Sequence, residues 1–152
     1  MSTPAGGNLR PGKVVTVLSI SGSKTDQQSL ADVFRHTRWV LLEAGSCAEA
    51  LSRLERCLVP VVLCDCTLPD GGWKDVLRAT AALPNPPLLI VASRLADDRL
   101  WAEVIDAGGY DVLEKPFHHS ELVRVVSLAW LAWRDQWQRA TAGPVSRAAG
   151  TS

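Results

Sequence analysis

Apolar residues along this chain fall into two alternating patterns. Five runs of strand length, "VVTVLSI" (14–20), "WVLLEA" (39–44), "VPVVLCD" (59–65), "LLIVAS" (88–93) and "YDVLEK" (110–115), are rich in β-branched and aliphatic residues. Each is followed by a stretch whose apolar positions recur three and four apart, which predicts helices over 25–36, 46–57, 72–83, 96–108 and 118–137. Local signals agree. Ser46 with Glu49 three residues on forms a capping box, "PNPP" (84–87) forbids the third helix from continuing, and Gly108 suits the end of the fourth.

Strands that alternate with helices cannot be joined by hairpins, so they lie parallel, with right-handed crossovers and helices on both faces. The expectation is an α/β, doubly wound (βα)5 sheet of order 2-1-3-4-5, flavodoxin-like in architecture. In such sheets the functional crevice lies outside the carboxyl ends of the strands, beside strand one. One domain is expected over 13–138. The start "MSTPAGGNLRPG" (1–12) lacks the basic and apolar regions of a secretory signal and reads as a flexible leader; 139–152 reads as a flexible tail.

Charge narrows the class of partner. Sixteen basic and sixteen acidic residues cancel, and no basic patch stands out, so neither nucleic acid nor an anionic membrane surface is expected. No run is long enough to span a bilayer, and a cytoplasmic setting is the default. Cys47, Cys57, Cys64 and Cys66 match no zinc spacing and are expected to be free, buried thiols. His118 and His119 are adjacent at a helix start and are not read as ligands.

Three polar residues end consecutive strands on the functional edge: Asp65 closes strand three, Ser93 strand four and Lys115 strand five. A carboxylate beside a hydroxyl and an ammonium can act as a phosphate acceptor, the aspartate attacking and the other two holding phosphoryl oxygens. The same residues also fit a plain Asp–Lys ion pair with a capping serine.

"VVLCDCTLPDGGWKDVL" resembles the phosphoacceptor segment of bacterial response regulator receiver domains, which are CheY-like in fold. Asp65 takes the acceptor place and Leu68-Pro69 the hydrophobic-proline place. "GGYDVLEKPF" (108–117) is similar to the signature around the family's Lys-Pro, here Lys115 and Pro116, and the usual interval back from Lys115 assigns the switch hydroxyl to Ser93. The likeness covers 13–137. It implies a non-enzymatic phosphorelay module, standing alone in this chain, whose partner is a sensor histidine kinase or another signalling protein. It also implies a magnesium ion held by an acidic pair after strand one, but Ser21 and Gly22 occupy those places. Only Asp65 and, as the nearest substitute, Asp26 remain to offer carboxylates, and Asp26 in the first turn of a helix is expected to serve as a cap. Trp73 and Val112 also depart from the family pattern, which has a glycine and an aromatic there.

Two other readings stay open. One is a pseudo-receiver that keeps the fold only for interaction or dimerisation. The other is a nucleotide- or flavin-binding protein in which "SISGSKT" (19–25) presents backbone N–H groups to an anion. An interaction surface is suggested by Trp130, Trp133 and Trp137, a stripe on the last helix in which Trp133 is the core member. With Trp101 on the fourth helix they predict a homodimer or partner contact through helices four and five.

Overall fold

The computed structural model describes the backbone of residues 14–151 and the side chains of residues 14–141, so the leader expected at 1–12 lies outside the described residues. The elements in order are β1 (Thr16–Ile20), α1 (Lys24–Phe34), β2 (Val40–Ala44), α2 (Cys47–Arg56), β3 (Val61–Asp65), β4 (Thr67–Leu68) and β5 (Gly71–Gly72). They continue with α3 (Trp73–Thr80), β6 (Leu88–Ser93), α4 (Asp98–Ala107), β7 (Asp111–Glu114) and α5 (His119–Thr151). The five long strands form one parallel sheet of order β2-β1-β3-β6-β7. With the two-residue strands set aside, this is the expected 2-1-3-4-5.

Strand parity divides the core. Side chains two apart share a face of a strand, so alternate residues enter opposite layers. Leu18, Ile20, Val62, Cys64, Leu89 and Val91 pack with Ala50 and Leu54 of α2, Val76 of α3 and Val104 of α4. The intervening Val17, Val61, Leu63, Ile90 and Ala92 pack with Leu30 and Phe34 of α1 and with Leu122, Val125, Val126 and Ala129 of α5. Central strands buried on both faces explain why 59–65 and 88–93 read as continuous apolar runs rather than alternating ones. Among the described residues no helix is long and apolar enough to cross a membrane.

Gly108 ends α4 in the left-handed region at φ 106°, which satisfies the last carbonyls and turns the chain into β7. Gly109 follows because a Cβ there would lie 2.4 Å from the Val104 side chain. These two glycines set the position of β7, and therefore of Lys115.

Two local features differ from expectation. The segment 67–72, where no strand was expected, contains the antiparallel pair β4-β5, too short to register as a pattern. The last helix does not stop near Trp137. Its backbone runs to Thr151, through the stretch expected to be a tail, where alanines at 140, 142, 148 and 149 supply the highest helix propensity.

Candidate functional site

The carboxyl ends of β1, β3 and β7 bring together the residues of the candidate site. Asp65 ends β3 between β1 and β6, and the Lys115 backbone N–H bonds to the Ser93 carbonyl, which fixes the start of the segment after β7. Lys115 Nζ reaches Asp65 Oδ1 at 2.5 Å. The second oxygen, Oδ2, accepts a hydrogen bond from the Ser21 hydroxyl at 2.6 Å. Both oxygens of the acceptor-place carboxylate therefore have protein partners. The Lys115–Pro116 peptide is cis.

Asp26 completes the cluster, and here the capping expectation is wrong. Ser23 is the N-cap of α1 and accepts from the Asp26 N–H, so the Asp26 side chain is not needed as a cap. It points across the site instead. Its Oδ2 lies 2.8 Å from Lys115 Nζ and its Oδ1 3.0 Å from the Arg94 guanidinium. Lys115, with 8% of its side chain exposed, thus bridges two carboxylates that are 15% and 16% exposed. Two anions and two cations balance, which is how charge is retained in a mostly buried place. The hydrogen bond from Lys115 holds the Asp26 carboxyl below its ordinary 3.8, helped by the charges of Lys115 and Arg94 and opposed by burial.

The loop between β1 and α1 is held by its own polar groups. Gln27 donates to the carbonyls of Ser19, Ser21 and Ala44, and its carbonyl accepts from the Ser19 hydroxyl. The N–H of Ser23 bonds to the Ser21 hydroxyl and that of Ser21 to the Ala44 carbonyl. The N–H groups of Ser21 and Ser23 within this loop, and of Asp26 just after it, are thus already paired. Gly22 is exposed and packs beside Pro69, whose ring lies 3.2 Å from where a Cβ would stand.

The donor set does not fit a magnesium ion. That cation prefers an octahedral shell with one or two carboxylates. Here the Asp65 oxygens are taken by an ammonium and a hydroxyl, Asp26 by an ammonium and a guanidinium, and Gly22 offers no side chain. Among the described residues no group of three His, Cys, Asp or Glu is placed to hold a metal.

Ser93 reaches the edge but not the carboxylate. Its hydroxyl accepts from the Leu95 N–H at 3.1 Å and forms a local turn. Arg94 and Gln27 were not singled out in the sequence. Asp70 was not either, although its carboxylate caps α2 from the loop after β3: Oδ1 accepts from the Cys47 N–H at 2.8 Å and Oδ2 from the Ala48 N–H at 3.0 Å. Those two N–H groups hold the Asp70 carboxyl below its ordinary value.

The cysteines are free, as expected, but only Cys47 and Cys64 are buried; Cys57, at the C-cap of α2, is exposed. Burial pushes the Cys64 thiol up strongly, and pushes those of Cys47 and Cys66 up as well, which leaves them poor nucleophiles.

The tryptophans divide by depth. Trp133 is buried, stacks on Trp137 at 5.4 Å and donates Nε1–H to the Pro86 carbonyl at 3.1 Å. Trp130 and Trp137 are half-buried, and the Arg134 guanidinium lies 4.9 Å from the Trp130 ring centre. Trp101 is the exposed one, at 50%.

Known proteins share this architecture and resemble this chain in sequence. The putative response regulator of Chloroflexus aurantiacus has a TM-score of 0.73 at 25% identity, over 78% of this chain and 99% of that one. The receiver domain of an HD domain-containing protein from Pseudomonas fluorescens has a TM-score of 0.76 at 22% identity, over 85% of this chain and 96% of that one, and shares the fold. Among curated relatives, the hydrogenase transcriptional regulatory protein HoxA of Bradyrhizobium diazoefficiens is 29% identical over 84% of this chain and 26% of its own length. The probable transcriptional regulatory protein TcrX of Mycobacterium tuberculosis is 32% identical over 74% of this chain and 48% of its own. The chain therefore spans about half or less of these two relatives. The family described as response regulator receiver domain matches residues 17–127, and the chain belongs to it, as a receiver domain of two-component signalling.

Proposed function

We propose that this receiver carries Asp65 at the phosphoacceptor place but transfers phosphate to it poorly, and that it signals through protein contacts. The observation that supports this is the pairing of both Asp65 oxygens, one by Lys115 and one by the Ser21 hydroxyl that stands where the acidic pair is expected. Phosphoryl transfer from a small donor relies on positioning and on neutralising charge at the equatorial oxygens. Lys115 can supply part of that neutralisation, but Ser21 and Gly22, at the places of the acidic pair, supply no carboxylate for a metal. The upstream partner in this reading is a sensor histidine kinase or another signalling protein, in a cytoplasmic setting.

Intact-mass measurement after incubation with acetyl phosphate and magnesium tests the proposal. Little phosphoryl adduct is expected on the wild type, and a gain of about tenfold or more on Ser21→Asp, which restores one carboxylate. The Ser21→Asp/Gly22→Asp variant restores both, with a shift of the Pro69 ring needed to admit the second side chain. Rapid magnesium-dependent phosphorylation of the wild type at Asp65 would sink the proposal.

The pseudo-receiver reading gains support from the exposed apolar groups near α4. Leu95 is 80% exposed and Trp101 50%, a pair suited to a homodimer or partner contact. Trp130 and Trp137 on α5 are half-buried and less exposed than Trp101. Trp101→Ala is expected to weaken self-association in sedimentation at high micromolar concentration while leaving the melting temperature unchanged. Identical sedimentation of variant and wild type would remove Trp101 from the interface.

A further inference from the structure

Neither capping nor metal binding accounts for the placement of Asp26. Ser23 already caps α1, and the donor set around Asp26 is cationic. What the geometry provides is a planar oxyanion with one oxygen on the Lys115 ammonium and the other on the Arg94 guanidinium, next to Asp65. Any oxyanion that arrives at the end of β3, whether a phosphoryl group on Asp65 or free phosphate, has to use Lys115 as its nearest cation, because that ammonium is the one 2.5 Å from Asp65. Asp26 is already there.

We infer that Asp26 is a resident counter-anion: its carboxylate fills the oxyanion seat formed by Lys115 and Arg94 and keeps external phosphate-type anions out of it. The inference rests on the reading of Lys115 as the phosphoryl-oxygen partner, but it concerns occupancy of the seat rather than transfer to Asp65. Three features support it. The two cations and their occupant come from three separate parts of the chain, the residue after β6, the residue after β7 and α1. Asp26 and Lys115 are largely buried, so the pair is weakly screened by solvent. Arg94 is 62% exposed and can follow an anion without leaving the site.

The test uses inorganic phosphate as the anion and the side-chain NMR signals of Lys115 and Arg94 as the reporters, at low ionic strength. The wild type is expected to show no saturable shift. Asp26→Asn keeps the shape and removes the charge, and should bind phosphate at least about tenfold more tightly, the effect of removing a like charge from beside the anion in a partly solvated site. In Asp26→Asn/Arg94→Gln the gain should shrink. Equal binding by wild type and Asp26→Asn overturns the inference, and so does a gain that survives Arg94→Gln undiminished. Should Asp26→Asn fail to fold, Asp26→Ser, smaller and also neutral, carries the same expected and opposing results. Failure of the acetyl phosphate experiment concerns Asp65 and leaves this one standing, because free phosphate forms no bond to the protein.

Discussion

Lys115→Met lowers the unfolding free energy by about 3 kcal/mol, a drop in melting temperature of about 10 °C for a chain of this size. The ammonium sits between Asp26 and Asp65, and its removal leaves two mostly buried carboxylates facing each other with Arg94 as the remaining cation. The loss depends on pH in a stated direction. Asp26 has its folded value lowered, so its contribution is present above the ordinary 3.8 and is lost as pH falls through the folded value. The gap between wild type and Lys115→Met is therefore widest near neutrality and narrows in acid. Asp65→Asn costs less than Lys115→Met, because Asp26 still pairs the ammonium and the Ser21 hydroxyl can turn to the new amide. Thermal melts of the two variants at neutral pH check the order, and equal losses would show that Asp26 does not share Lys115.

Trp133→Ala is expected to cost about 4 kcal/mol, or about 10–15 °C in melting temperature. The indole is 2% exposed and packs between α5 and the "PNPP" turn. Truncation opens a cavity, takes the stacking partner from Trp137 and leaves the Pro86 carbonyl without its donor. Trp133→Phe retains most of the apolar volume but not the N–H, so its loss should be well under half as large. Calorimetric melts of both variants separate packing from the hydrogen bond. A loss in Trp133→Ala no greater than in Trp133→Phe would mean that the ring is not a core element.

The fold was legible because each element carries its own period. Continuous apolar runs with parity-divided burial belong to strands covered on both faces, and local chemistry marks the boundaries: the Ser46 hydroxyl caps α2, Gly108 ends α4 and "PNPP" stops α3. The pair Asp65 and Lys115 was legible for a related reason, since parallel strands deliver their carboxyl ends to one edge. Side-chain direction was less legible. Ser93 lies at the right strand end, yet its hydroxyl turns to the nearby Leu95 N–H. Asp26 reads locally as a cap, and its partner is 89 residues away. A signal was present nonetheless: Ser23 already provides a cap, so an acidic residue three positions on was left with an unassigned charge near an edge stripped of its usual acids. Arg94 carries no such mark, because a charged residue after a strand is ordinary surface. The end of α5 was misplaced because the apolar period fades after Trp137 into a small, polar stretch, while alanine propensity acts over the whole of it.

The Asp70 carboxylate holds the first amides of α2 from the segment that directly follows Asp65. This loop cannot swing outward without uncovering the Cys47 and Ala48 N–H groups, which no intrahelical carbonyl is placed to take over. The segment after β3 and the first turn of α2 therefore open as one local unit, and their protection from solvent hydrogen exchange rises and falls together.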